Sequence, residues 1–332
     1  MRRHFSLGTP AHFGKGAYFV SEADEYVTDP TSDSTPRFLW QNPDIAVITN
    51  IEFDHPDVYR NISDIKKAFI SFAKNIKRGG FIVCGIDNKN VLEIVPKLSG
   101  NIITFGGKNA QFQYKNVVFV KGSTTFEITK NKKSIGKFSL RVPGIHNVLN
   151  ALATVAVLYT LDIPVDSIRA SISLFSGTKR RFELVEKRSG VLFYDDYAHH
   201  PTEVFTTLFS IKQWFPEKKL TVIFQPHTYS RTKKLLRAFS KCFSNADNVL
   251  IVDIYSSARE KPISSVSGKI LTQEISKYHS HAFYTPTKEH VIQYLGRNIG
   301  KNDIIITMGA GDIYKLYPDI TRLYKYASTK KT

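Results

Sequence analysis

Short apolar runs and longer stretches of helical spacing take turns along this chain. In the first half AYFV, DIAVIT, FIVCG and NIITFG are β-branched or aromatic and read as strands. The segments between them have the period of helices lying on a mostly parallel sheet. From Asn116 to Val142 helical periodicity disappears, which predicts a hairpin region with turns at Gly122-Ser123 and Asn131-Lys132. HNVLNALATVAVLYTL resumes helical spacing with Leu152, Val155, Ala156 and Tyr159 on one face, and VDSIRASISLF predicts a second helix. The polar break Gly177-Thr178-Lys179-Arg180-Arg181 divides the chain into two predicted domains, 1–178 and 179–332. In the second half VLFY, TVIF, NVLIV and DIIITM each run into a polar loop and then a helix. Those loops, DDYAHHPTE, QPHTYSRT, DIYSSARE and GAGDIY, gather His, Asp, Arg and Gly after strand carboxyl ends, the edge where open parallel sheets bind ligands. The predicted class is α/β.

Composition agrees with two folded domains: 332 residues, 42% hydrophobic and 12% aromatic, with no apolar run long enough to span a bilayer. No membrane partner is expected. Met1-Arg2-Arg3-His4 has the charge of an export signal, but Gly, Thr, Pro and His interrupt the apolar segment that should follow. Cys84 and Cys242 form neither a disulfide framework nor a metal box, so a cytoplasmic location is expected. The net charge of +17 raises nucleic-acid binding, yet pairs such as Lys66-Lys67, Lys132-Lys133, Lys218-Lys219 and Lys233-Lys234 are scattered over predicted helices and turns as solvated surface. No specific nucleic-acid partner is expected, and the charge suits anionic substrates such as nucleotides.

The run GTPAHFGKG imitates a phosphate-binding loop without meeting its requirements. Five residues rather than four separate Gly8 from Gly14, Lys15 is followed by Gly16 instead of a hydroxyl residue, and a strand pattern rather than a helix comes next. It reads as a glycine-punctuated turn.

Several constellations carry candidate chemistry, each beside a plainer reading. Glu22-Ala23-Asp24-Glu25 and the set from Glu52 through Asp54, His55 and Asp57 place carboxylates and an imidazole at two strand ends, as magnesium ligands or as solvated turns. Asn147 and Asn150 project from one side of a helix, placed to read a base edge or to cap the helix. Arg181 stands at the domain boundary, within reach of an anionic ligand or in solvent. Asp195-Asp196-Tyr197-Ala198-His199-His200 is too tightly spaced for a closed zinc site and points to a substrate pocket, joined by His227 and Arg231 as a carboxylate-binding patch.

In this order, SEADEY, TNIEFDHPDVY, VPGIHNVLNALA, RRFELV, DDYAHHPTEV, FQPHTYSRT, DIYSSARE and TMGAGDIY resemble the motifs of the Mur ligases, ATP-dependent amide-bond ligases of peptidoglycan precursor synthesis. The branch they resemble most joins L-alanine to UDP-N-acetylmuramate. The resemblance implies an incomplete central ATPase-like domain over 1–178, followed by a Rossmann-like C-terminal domain over 179–332. It implies ATP and Mg2+ as cofactors, with Glu22 and His55 at the metal. On the adenine side it places His146, Asn147 and Asn150, on the phosphates Arg181, on the ribose Asp196, and at the amino-acid end Tyr197, His199, His227 and Arg231. Glu22, His55 and Arg181 are thereby the implied catalytic residues. ATP would phosphorylate the substrate carboxylate, and the amino acid would attack the acyl phosphate.

Three departures qualify the match. Thr228 follows His227 where many relatives have Arg, which weakens the inference of alanine selectivity. Ile70 stands where some branches place a carbamylated lysine, so no such ligand is expected. The UDP-binding domain and true P-loop of the family are expected to lie outside this chain, leaving an unpaired edge on the central sheet and making a separate N-terminal Mur ligase segment a partner to be sought. The related ligase that recycles a peptide onto the same nucleotide sugar, and a non-catalytic remnant of the fold, stay open as alternatives.

Overall fold

The computed structural model describes residues 14–29, 31–256 and 260–327, arranged as two compact units, Met1–Ser176 and Gly177–Thr332. Residues 8–13 of GTPAHFGKG, the first four residues and the 257–259 part of DIYSSARE lie outside those described.

In the first unit a small antiparallel pair, β1 (Val27–Asp29) and β2 (Asp33–Pro36), precedes a six-stranded sheet. That sheet takes β3 (Ile45–Ile48), β4 (Phe81–Gly85), β5 (Asn101–Gly106), β6 (Phe112–Val120), β7 (Ser123–Lys130) and β8 (Lys133–Leu140) in simple order. Pairing is parallel from β3 to β6 and antiparallel beyond, because two-residue turns can join only antiparallel neighbours. Its helices are α1 (Ile62–Lys74), α2 (Lys89–Ile94), α3 (Ile145–Thr160) and α4 (Val165–Leu174). Strand alternation splits the core into two layers. Val83 joins Phe105, Phe126 and Phe138 with Leu152 and Val155 of α3, while its neighbours Ile82 and Cys84 join Ile65 and Phe72 of α1 with Val91 of α2. Strand β3 is the outer strand on one side of this sheet among the described residues, and its Val47 is 40% exposed.

AYFV is not a strand. Residues 17–20 are irregular, pair with no described strand, and leave Tyr18, Phe19 and Val20 exposed. Composition favoured a strand there, but a strand needs a neighbour for its backbone groups, and no described segment provides one.

In the second unit the sheet order is β13-β12-β11-β14-β10-β9. The strands are β9 (Glu183–Arg188), β10 (Val191–Asp196), β11 (Lys219–Phe224), β12 (Asn248–Ile251), β13 (Ala282–Tyr284) and β14 (Asp303–Met308). All pairs are parallel except β9 with β10. The covering helices are α5 (Pro201–Trp214), α6 (Tyr229–Lys234), α7 (Leu236–Phe239), α8 (Gly268–Ser276), α9 (Lys288–Asn298) and α10 (Tyr317–Ala327). Strands β10, β11, β12 and β14 are buried nearly throughout, as central parallel strands covered on both faces must be. Sequence order turns back between β11 and β14, so the loops after those strands flank a switch point at the carboxyl edge. Lys218 is not a solvated surface lysine: it is buried beside β11, and its ammonium donates to the Asn302 side chain at 2.7 Å.

Candidate active site

Among the described residues of the first unit, acidic and imidazole groups gather after β3. After β3 the chain runs through Ile51 and Glu52 to His55, and two asparagines fix its course. Asn90 donates to the Ile51 carbonyl at 2.8 Å, and Asn88, which also caps α2, donates to the Glu52 carboxylate at 2.9 Å. His55 has a left-handed backbone (φ 52°), and its carbonyl accepts the N–H groups of Val58 and Tyr59, both at 2.9 Å. The loop and the β1 region clasp each other through two tyrosines. Tyr26 lies on the His55 ring, with centroids 4.6 Å apart, and donates to Asp57 at 2.7 Å, while Tyr59 donates to the Glu25 carbonyl at 2.6 Å.

The carboxylates beside the His55 Nε2 are therefore Glu25, at 3.6 Å, and Asp54, at 3.9 Å. Glu22 is exposed, and among the described contacts its carboxylate does not meet His55. Burial pushes the Glu25 carboxyl above its ordinary range, opposed by its own backbone hydrogen bond and by His55. Among the described residues no three His, Cys, Asp or Glu side chains are arranged to hold a metal alone. The oxygen donors present suit magnesium, which commonly takes one or two carboxylates and completes its shell with water and phosphate.

Gly144 leads into helix α3, and its φ of 94° favours glycine. Asn147 donates to the Pro143 carbonyl at 2.7 Å, and its amide lies 3.0 Å from the His146 Nε2. That amide is spent on the incoming chain, whereas Asn150, one turn on, presents an exposed side chain.

In the second unit, strand alternation separates the tandem aspartates. Asp195 faces α10, accepting from Thr307 at 2.6 Å, and Thr307 lies 3.0 Å from the Tyr317 hydroxyl. Asp196 faces α5. It accepts the N–H groups of Phe182 and Ala198, both at 2.8 Å, and burial pushes its carboxyl up to about 6 against the pull of those amides and of Arg181.

The tandem histidines also part. His200 caps α5, accepting from Thr202 in a capping box completed by Glu203. His199 lies 2.9 Å from the Tyr197 carbonyl and 3.5 Å from Glu203, with its ring 6.0 Å from that of His227. Burial pushes the Glu203 carboxyl up, but His199, its backbone amide and Arg181 outweigh it and hold the group below its ordinary range. Arg181, exposed, reaches Glu203 at 3.8 Å and lies over the Tyr197 ring.

Backbone pairing beyond β11 and β12 sets His227 against Tyr255, their rings stacked 5.7 Å apart, and Arg231 is buried with Nη1 3.2 Å from the His227 Nδ1. Glu260 receives the N–H groups of Tyr229 and Ser230 where α6 starts. Gln225 ties this loop to the one after β14, donating to Asp312 and accepting the N–H of Ile313, both at 3.1 Å. Tyr197, His199, His227 and Arg231 thus form one continuous cluster at the carboxyl edge, with Arg181 at its rim. Glu203 was findable from its capping-box spacing to His200. Tyr255 and Glu260 carried no distinguishing local signal.

Comparison with known proteins matches the same two units. Residues 15–158 fit the Mur ligase middle domain, and residues 180–311 fit the Mur ligase glutamate ligase domain. A UDP-N-acetylmuramate--L-alanine ligase of Desulfatibacillum aliphaticivorans is 38% identical over 94% of this chain and 67% of its own length. The chain belongs to the Mur ligase family. A Clostridium novyi protein of the same name is 41% identical over 91% of this chain, and the match spans 64% of the length of that relative. Among solved structures, a Thermotoga maritima UDP-N-acetylmuramate-alanine ligase superposes with a TM-score of 0.70 at 25% identity, covering 88% of this chain and 61% of that one. The α/β architecture is therefore that of Mur ligase middle and C-terminal domains. No described helix is long and apolar enough to cross a membrane.

Proposed function

We propose that this chain carries the middle and C-terminal parts of a cytoplasmic ligase that uses ATP to join L-alanine to the carboxylate of UDP-N-acetylmuramate. The observation that carries the reading is its 38–41% identity, over more than nine-tenths of its length, to proteins of that name. The basic and aromatic cluster at the carboxyl edge of the second sheet supports it, because an amino-acid carboxylate needs a desolvated cation and hydrogen-bond donors.

In this mechanism Arg231, buried beside His227, holds the alanine carboxylate, and Tyr197 and His199 wall the pocket. Arg181 meets the phosphate charge that develops during transfer, and its exposure at the rim makes it accessible to the ligand. Asn150 faces the adenine, with His146 and Asn147 shaping the start of α3 beside it. Carboxylates of the His55 cluster, with phosphate oxygens, would hold magnesium, which would neutralise phosphate charge when bound. The 332 residues contain no Gly-Lys-Ser or Gly-Lys-Thr, so the cradle for the β- and γ-phosphates comes from a segment outside this sequence. The test is product formation from ATP, magnesium, L-alanine and UDP-N-acetylmuramate when the chain is combined with a segment bearing such a loop. A panel replacing alanine by other amino acids and by a tripeptide separates this reading from the peptide-recycling ligase, and preference for the tripeptide would overturn it.

A further inference from the structure

Two neighbouring arginines open the second unit, and the fold gives them opposite surroundings. Arg181 is exposed at the rim of the cluster. Arg180 is drawn inward: its Nε donates to Asp195 at 2.9 Å, its Nη2 to the Gly309 carbonyl at 2.7 Å, and its Nη1 reaches the Gly311 carbonyl at 3.4 Å. Its guanidinium also lies 4.9 Å from the Tyr197 ring centre and 4.5 Å from that of Tyr314. The backbone of the same residue is left-handed (φ 57°), and its carbonyl accepts the Tyr197 N–H at 2.7 Å. Arg180 thereby joins the 178–182 turn, the end of β10 and the loop after β14.

We propose that Arg180 is a positioning residue of the ligation site, holding the Arg181 guanidinium, the Tyr197 ring and the 309–314 loop in one frame without touching substrate. This rests on the ligase reading given above. The contacts require a planar fork, since Asp195 and two carbonyls are met by three different nitrogens. A lysine can neutralise Asp195 but cannot serve all three acceptors from one ammonium on a flexible stem. Arg181 acts on charge that develops only in the transition state, so a displaced frame lowers kcat more than it weakens binding.

Arg180→Lys and Arg180→Met are compared with the unaltered chain by thermal unfolding and amide hydrogen exchange, then by phosphate release in the combined assay. For Arg180→Lys the melting temperature is expected to stay within about 2 °C, while exchange at the hydrogen-bonded amides of Tyr197, Gly309 and Ile313 speeds up about tenfold or more. Its kcat is expected to fall about tenfold with the KM for ATP changed less than about threefold. Arg180→Met is expected to melt lower as well, because it leaves the buried Asp195 charge without its cation. Unchanged exchange at those three amides in Arg180→Lys overturns the proposal, and so does a kcat restored by lysine to the unaltered value. An unaltered chain that never turns over, alongside faster exchange in Arg180→Lys, supports the frame and removes the ligase reading instead.

Discussion

Replacing Thr228 by glycine should make the second unit more stable, an unusual direction for a substitution beside a candidate site. Thr228 has φ 66° and ψ 144°, a region that a β-branched residue occupies only under strain of about 1–3 kcal/mol. Its backbone bonds hold it there: its N–H donates to the Tyr255 carbonyl at 3.1 Å, and its carbonyl accepts the Thr232 hydroxyl at 2.7 Å. Both survive in glycine, which relieves the strain but costs about 0.5–1 kcal/mol in extra unfolded-state entropy. The net expectation is a gain of about 1 kcal/mol, or roughly 2–4 °C in melting temperature for a unit of this size. Trp214 is buried in the second unit while Trp40 of the first is 65% exposed, so a shift of emission from buried to exposed tryptophan follows the second unit. A melting temperature that falls in Thr228→Gly would refute the reasoning, showing that the Thr228 side chain contributes more than its backbone conformation costs.

Other outcomes follow from the same geometry. The Asp196 carboxyl titrates near 6 when folded and near 3.8 when unfolded, so its protonated form favours the folded state; this stabilisation is full below the unfolded value and is lost as pH rises through about 6. At 1.36 kcal/mol per pKa step the loss is about 3 kcal/mol, and urea titrations should show a shallower decline from pH 4 to 7 in Asp196→Asn, against an unchanged slope if the assignment fails. Gly311→Ala would put a Cβ 2.3 Å from the Gln225 Oε1 and 2.7 Å from the Tyr255 ring, so a loss of about 1–3 kcal/mol is expected on denaturation, and a neutral result would contradict the packing. Arg231→Ala should reduce kcat/KM for alanine by about thirtyfold, near 2 kcal/mol, with a smaller effect on the KM for ATP. A raised KM for ATP with alanine use intact would reverse the assignment.

Much of the architecture is legible in the sequence because buried parallel strands are continuous apolar runs: VLFY, TVIF and DIIITM fall within β10, β11 and β14, and NVLIV overruns β12 only at Val252. Strands β9 and β13 escaped because both lie at sheet edges: ELVEKR is mostly charged, and AFY is only three residues long. AYFV shows the converse error, composition without a partner. At the site, residue type located the loops but not the side chains within them. Nothing local separates Glu22 from Glu25 or Arg180 from Arg181; only the tertiary fold turns Glu25 toward His55 and Arg180 into the interior. Tandem aspartates read as a patch until strand alternation sends Asp195 and Asp196 to opposite faces.

The most direct test of the ligase reading is mass-spectrometric detection of the alanyl amide of UDP-N-acetylmuramate, with phosphate release measured in parallel. The chain is combined with ATP, magnesium, L-alanine, the nucleotide sugar and a segment bearing a Gly-Lys-Ser/Thr loop, and each component is then omitted in turn. Product is expected only in the full mixture, with one phosphate released per amide formed and loss of both when this chain is left out. Product from the chain without the added segment would contradict the origin of the phosphate cradle, and a full mixture that makes no amide would contradict the function itself.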